Sequence, residues 1–169
     1  YSALGKYDKA LSNIELALHI SREIGNKYLE SMHLGNVAII FDSQGEHAKA
    51  IEKYKESLAV CEEIGDMHQK GLTLGNLGEA HIRLKQWDEA RKLYTNLQSQ
   101  FPEDGEPWKQ MGLLEYERNN FERATDELTI AKEKFEISED EKGIDISVYL
   151  IDEVEWIYAK SFMGKQHFE

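Results

Sequence analysis

Apolar residues recur along most of this chain at spacings of three and four, the rhythm of a helix with one buried stripe. Tyr7, Ala10, Leu11, Ile14, Ala17, Leu18 and Ile24 predict a helix from Tyr7 to Ile24. Before it, Gly5 and Lys6 read as a turn, and Tyr1 to Leu4 as the last turn of an earlier helix. Gly25 supplies a left-handed stop and Asn26 a cap for the next helix. That helix spans about Tyr28 to Asp42, with Leu34, Val37, Ala38 and Phe41 inward. Gly45 turns the chain into a return helix from His47 to Ile64, built around Ala50, Ile51, Tyr54 and Leu58. Gly65 and Asp66 repeat the stop and the cap, and Gln69 stands where it could complete a capping box. Further helices follow over about His68 to Leu84, Trp87 to Phe101, Glu106 to Arg118 and Phe121 to Ile137. Pro102 ends one of them, and Pro107 suits the first turn of the next. Ser138 to Lys142 reads as a solvated, charged hinge. The last helix, from Gly143 to Met163, carries a stripe of Ile144, Val148, Ile151, Tyr158 and Phe162, and Gly164 to Glu169 follow as a short tail.

The same wording returns along the chain. Leu34-Gly35-Asn36-Val37-Ala38 reappears forty residues later as Leu74-Gly75-Asn76-Leu77-Gly78. Glu23-Ile24-Gly25-Asn26 reappears at the same interval as Glu63-Ile64-Gly65-Asp66, and Tyr7/His47/Trp87 and Ala10/Ala50/Ala90 keep step. From Trp87 to Phe121, and from Ala90 to Ala124, the interval shortens to thirty-four, the loss falling around Pro102 to Pro107. A period of this size predicts an array of helix pairs, each burying its apolar face against the next. The small residues Ala38/Gly78/Gly112 and Ala10/Ala50/Ala90/Ala124 then mark where paired helices cross closely.

Composition narrows the role. The 169 residues are 41% apolar and 31% charged, with a net charge of −12, which disfavours a nucleic-acid partner. One cysteine, Cys61, leaves no intramolecular disulfide framework and fits a reducing, cytoplasmic setting. No apolar run approaches the ~20 residues that span a bilayer, so no membrane partner is expected. The six histidines show no metal-ligand spacing, with His19 and His33 on different helices, and no Gly-rich phosphate loop follows a strand. No metal, cofactor or catalytic residue is expected, and the chain is read as a non-enzyme and a piece of something longer.

The residues Leu74, Leu77-Gly78, His81, Trp87, Ala90, Tyr94 and Pro102 resemble the tetratricopeptide repeat pattern. Trp108, Met111-Gly112, Phe121 and Ala124 match it again, as do Leu34, Val37-Ala38, Phe41, Gly45, Ala50 and Tyr54. His81 and Glu115 depart from it, standing where an aromatic is usual. The resemblance covers about residues 1 to 137, and the forty-residue units are similar to the lengthened-helix subset found in kinesin light chains and Pins-type adaptors. It implies an all-α fold: a right-handed superhelical solenoid of antiparallel helix pairs with a C-terminal capping helix. The expected divisions are a partial repeat at 1–25, repeats at 26–65, 66–103 and 104–140, and a capping helix with tail at 141–169.

The resemblance also implies a concave groove lined by the first helix of each pair, where a protein or peptide ligand docks. Asn36 and Asn76 border that face, and a carboxamide can serve both the donors and the acceptors of an extended main chain. The alternative is that they only brace a neighbouring helix. Ile39, Ser43, Glu79, Arg83, Lys109, Gln110, Leu113 and Tyr116 follow by helical spacing. Glu79 and Arg83, four apart, either pair with each other or leave Arg83 for a ligand carboxylate. The five-residue carboxylate clamp of chaperone-binding members is not reproduced: Gly35, Ile39, Glu106 and Gln110 occupy four of its places, and only Asn76 fits. Two functional classes remain, a scaffold or adaptor that binds a partner segment and a peptide-sensing regulatory domain of a larger regulator. Self-association through Tyr149, Trp156 and Phe168 near the chain end is a further expectation.

Overall fold

The computed structural model describes the backbone of residues 2–166 and the side-chain surroundings of residues 7–159. Among the described residues it is all-α, with eight helices: α1 (Ser2–Glu23), α2 (Lys27–Ser43), α3 (His47–Ile64), α4 (Met67–Arg83), α5 (Trp87–Gln100), α6 (Glu106–Glu117), α7 (Phe121–Ile137) and α8 (Glu141–Gln166). The expected turn at Gly5 and Lys6 does not form; α1 runs through both. A glycine costs a helix interior only about 1 kcal/mol, whereas a helix of a few residues ahead of it cannot nucleate alone. Tyr1, Phe168 and the side chain of Phe162 lie outside the described residues.

Six of the seven turns among the described residues share one closure; the α5–α6 connection through Pro102 does not. Gly25, Gly45 and Gly65 adopt left-handed backbone with φ of 68°, 79° and 69°. Lys85, Asn119 and Glu139 take the same conformation at the corresponding places, with φ of 56°, 61° and 60°. In every case the next amide reaches back five residues, as in Asp66 N to Cys61 O at 3.0 Å and Gln86 N to His81 O at 2.9 Å. This is the Schellman arrangement, which satisfies carbonyls that the helix end leaves without partners. Asn26 and Asp66 then cap α2 and α4, accepting from Leu29 N and Gln69 N at 3.0 Å each. Gln69 does not close a capping box: Asp66 N is bonded to Cys61 O, and the Gln69 amide lies beside Gly35, 3.2 Å from where a Cβ there would sit. Pro107 stands in the first turn of α6.

The chain forms two compact units, Tyr1–Leu93 and Tyr94–Glu169, the division falling within α5. In the first, α2 packs between α1 and α3, and α4 against α3. Ala38, Ala50, Ile51, Tyr54, Leu77 and Ala80 form its main core cluster, while Leu18, Leu34 and Val60 join α1 to the helices that follow. A polar seam crosses this core. Ser57 Oγ donates to Ser31 O at 2.8 Å and lies 3.4 Å from Thr73 Oγ1, so α3 is tied to α2 and meets α4. In the second unit Ala124, Leu128 and Val154 are the centre of a cluster that Tyr116, Phe121, Leu150 and Ile151 border. Gly112 is required here: a Cβ on it would lie 2.6 Å from Leu128 Cγ.

The small-residue code is therefore followed at Ala38, Ala50, Ala90 and Ala124, all fully buried, but not at Ala10, which is exposed. Of the α1 stripe, Leu18 is buried and Ile24 is 63% exposed, because α1 packs on α2 through only one part of its apolar surface. On α8, Val148 is exposed, and the inward face is instead Ser147, Leu150, Ile151 and Val154, rotated by about one residue from the expected stripe.

Glu30, on α2, is buried among cations: Arg22 Nε lies at 2.8 Å and Lys27 Nζ at 3.2 Å. The Arg22 hydrogen bond, helped by Lys27 and opposed by burial, holds the Glu30 carboxyl below its ordinary value of 4.5. A depressed carboxyl stabilises the fold fully above the unfolded value and loses that contribution as pH falls through the folded one. Stability measured by urea denaturation should therefore fall with acid below about pH 4.5, and Glu30→Gln should flatten that dependence. The same measurement should show Gly65→Ala destabilising the fold by about 1 kcal/mol and Lys85→Gly stabilising it by about 0.5–1 kcal/mol, because only the left-handed strain changes.

Candidate functional site

The open face of the first unit is built from α2 and α4. Leu34, Val37 and Ala38 turn one side of α2 inward, and Leu74, Leu77 and Gly78 do the same for α4. The residues at three- and four-residue steps on the other side then line up as Asn36, Ile39, Ser43 and as Asn76, Glu79, Arg83. The two helices are in contact, and helical spacing puts three of the candidates on the outward side of each. Asn36 and Asn76 are half-buried, and neither carboxamide makes a hydrogen bond among the described residues. Ile39 is 45% exposed between them and the turn. Ser43 Oγ donates back to Ile39 O at 2.8 Å, which leaves its oxygen free only as an acceptor.

At the far end of this face Arg83 is held by two carboxylates. Its Nη2 donates to Glu79 Oε1 at 2.7 Å, and its Nε lies 3.4 Å from Asp42 Oδ2 on α2. Asp42 is shared, since His47 Nδ1 lies 2.6 Å from its other oxygen. Tyr54 reaches the same cluster from α3. Burial above all, with the negative charges of Asp42 and Glu79 and against that of Arg83, pushes its phenol well up from the usual tyrosine value. The Glu79–Arg83 pairing foreseen from spacing is thus present. Asp42, His47 and Tyr54 were read as a helix end, an aromatic place and a core position, and the only sequence sign of their association is the five-residue interval from Asp42 to His47.

The four candidates of the second unit divide. Lys109 turns away from solvent: its side chain is 14% exposed, and its Nζ lies 2.7 Å from Glu106 and 5.9 Å from the centroid of the Phe135 ring. Gln110 Nε2 donates to Glu106 Oε1 at 2.8 Å. Leu113 is half-buried. Tyr116 packs edge-to-face on Phe121, with ring centroids 6.0 Å apart. Its phenol is pushed up by burial first, then by Glu153, Glu117 and Tyr149.

The two residues that break the repeat pattern are structural. His81 and Glu115 are buried where an aromatic is usual, and each binds the residue that opens the following helix. His81 Nδ1 lies 2.6 Å from Gln86 Oε1, and Asn120 Nδ2 donates to Glu115 Oε2 at 2.7 Å. Buried polar groups of this kind are tolerated because they are paired. Cys61 is fully buried beside Ser31, Ser57 and Thr73, and burial above all pushes its thiol up, away from the thiolate a nucleophile needs. Among the described residues no three His, Cys, Asp or Glu side chains gather to hold a metal ion, and no helix is long and apolar enough to cross a membrane.

Comparison with known proteins gives the same architecture. The family model described as tetratricopeptide repeat matches residues 1–63 and again 31–96. No curated protein sequence matches the chain. Among solved structures, BtubC (BKLC) from P. vanneervenii superposes with a TM-score of 0.69 at 16% identity, covering 94% of this chain and 76% of that one. The Sgt2 TPR domain from Aspergillus fumigatus gives 0.65 at 18% identity, with 80% and 83% covered. A tetratricopeptide repeat protein from Parabacteroides merdae ATCC 43184 gives 0.66 at 19% identity; 95% of this chain is covered, but only 58% of that protein's length. At these identities the likeness is one of fold.

Proposed function

This chain belongs to the tetratricopeptide repeat family, and we propose on that basis that it is a protein-interaction scaffold whose α2–α4 face holds an extended partner segment by its main chain. The observation that carries this reading is the pair Asn36 and Asn76. They occupy the same place in successive repeats, on helices in contact, half-buried and without a hydrogen-bond partner among the described residues. Neither carboxamide is among the polar atoms sealed inside the fold, so both remain open to a ligand. A peptide backbone offers a donor and an acceptor at every residue, and two carboxamides side by side can bind both whatever the peptide's side chains are. Ile39 adds an apolar contact on the same stripe.

Arg83 favours this mode over capture of a chain-terminal carboxylate. Two carboxylates already surround its guanidinium, so an incoming anion would have to displace one of them. Recognition on this face is therefore by main chain and shape, with Arg83 a fixed wall.

The test is calorimetry of a partner segment, mapped after capture by the intact chain, against wild type and an Asn36→Ala/Asn76→Ala double variant. Each lost hydrogen bond should weaken binding by about 0.5–1.5 kcal/mol, with little change in helix content or in the unfolding midpoint. Unchanged affinity in a folded double variant would sink the assignment.

A further inference from the structure

The net charge is not spread evenly. Residues 94–169 carry eighteen Asp and Glu against eight Lys and Arg, whereas residues 1–93 carry fourteen against twelve. Ten of the twelve surplus negative charges therefore sit in the second unit. They also differ in company. In the first unit Glu30, Asp42, Glu62, Glu63, Glu79 and Glu89 are among many acids paired with Lys or Arg. On α8 Asp145, Asp152 and Glu153 have no ion-pair partner among the described residues.

These acids are interleaved with aromatic surface. Ser147, Leu150, Ile151 and Val154 face the core, so the opposite side of α8 presents Asp145, Tyr149, Asp152, Glu153 and Trp156 at steps of three and four. Tyr149 is 66% exposed and Trp156 62%, the two most exposed large apolar residues of α8, on which Ile146, Val148 and Tyr158 are also exposed. Exposed aromatics ringed by unpaired carboxylates are the surface complement of a segment that alternates Lys or Arg with large apolar residues. The cations gain both the carboxylates and the aromatic faces, and the apolar residues cover the rings. A second copy is a poor occupant, because like faces would bring acids against acids.

We propose that the α8 face centred on Tyr149 is a docking surface for a basic amphipathic helix of a partner protein. This goes beyond the α2–α4 reading and uses neither asparagine, so the two fail separately. The probe is a fluorescently labelled helical peptide of Lys and Leu, with binding followed by anisotropy on the whole chain. Replacing the three acids together (Asp145→Asn, Asp152→Asn, Glu153→Gln) should weaken binding about tenfold or more and reduce its salt dependence. Tyr149→Ala should weaken it with the salt dependence kept. A control that removes three acids of the first unit with no ion pair among the described residues (Asp8→Asn, Glu15→Gln, Glu52→Gln) should leave binding as it was. Circular dichroism of each variant reports whether the helices persist. The proposal is overturned if wild type does not bind the peptide, if the control weakens binding as much as the α8 variant, or if a Lys/Ser peptide of equal charge binds as well. A concentration-dependent dimer in sedimentation that Tyr149→Ala abolishes would overturn it too, by assigning the face to a second copy.

Discussion

Every helix pair in this chain depends on reversing direction within about three residues without stranding the carbonyls of the helix it leaves. At every turn but the α5–α6 connection one left-handed residue achieves this, because it swings the following amide back over the helix end to a carbonyl five residues earlier. With the connection that short, the two helices must lie side by side, and only then do Ala38 with Ala50, or Gly112 with Leu128 and Ala124, come close enough to set the packing. The burial of Leu34, Leu74, Leu114 and Leu128 follows from that approach. Hydrophobic burial supplies most of the stabilising free energy, but the turns decide which surfaces are available to it.

Much of this was legible because glycine and alanine are informative where geometry leaves no substitute. Gly25, Gly45 and Gly65 marked three reversals, and α3 and α7 begin and end where the periodicity placed them. Lys85, Asn119 and Glu139 carried no such mark, since a side chain in left-handed backbone costs only about 1–2 kcal/mol and the surrounding closure tolerates it. Periodicity also says which side of a helix is apolar, not whether anything lies against it. Ala10 and Ile24 belong to a proper stripe and are nevertheless exposed. The same limit separates the candidate residues. Asn36 and Asn76 were visible because they repeat on short, stiff side chains, whose direction the helix dictates. Lys109 was not placed by spacing, because its long stem lets the ammonium choose Glu106 and Phe135 over solvent.

The two units also differ in how they handle charge. The first internalises its electrostatics: Arg22, Lys27 and Glu30 tie α1 to α2, and Arg83 and Asp42 tie α4 to α2. Such pairs contribute little each when exposed, more where one member is buried as Glu30 is. In the second unit, pairs such as Lys134 with Glu103 and Lys132 with Glu136 account for only part of the acidic surplus. Charge used inside a fold narrows what its surface can attract, and charge left outside widens it.

The hydroxyl seam of Ser31, Ser57 and Thr73 bears on this division of labour. Contacts between alanine, glycine and leucine resist separation but offer little resistance to one helix rolling or sliding along another. The hydrogen bond from Ser57 to one particular carbonyl behaves differently: it is lost after a displacement of a single residue, about 1.5 Å of helix rise. It acts as a detent, selecting one phase of α3 from a set of nearly equivalent ones. The phase of α3 in turn fixes the azimuth of α2 and α4, and with it whether Asn36 and Asn76 look outward together. A buried serine that lies away from the surface thereby sets the aim of the two asparagines proposed to meet a partner.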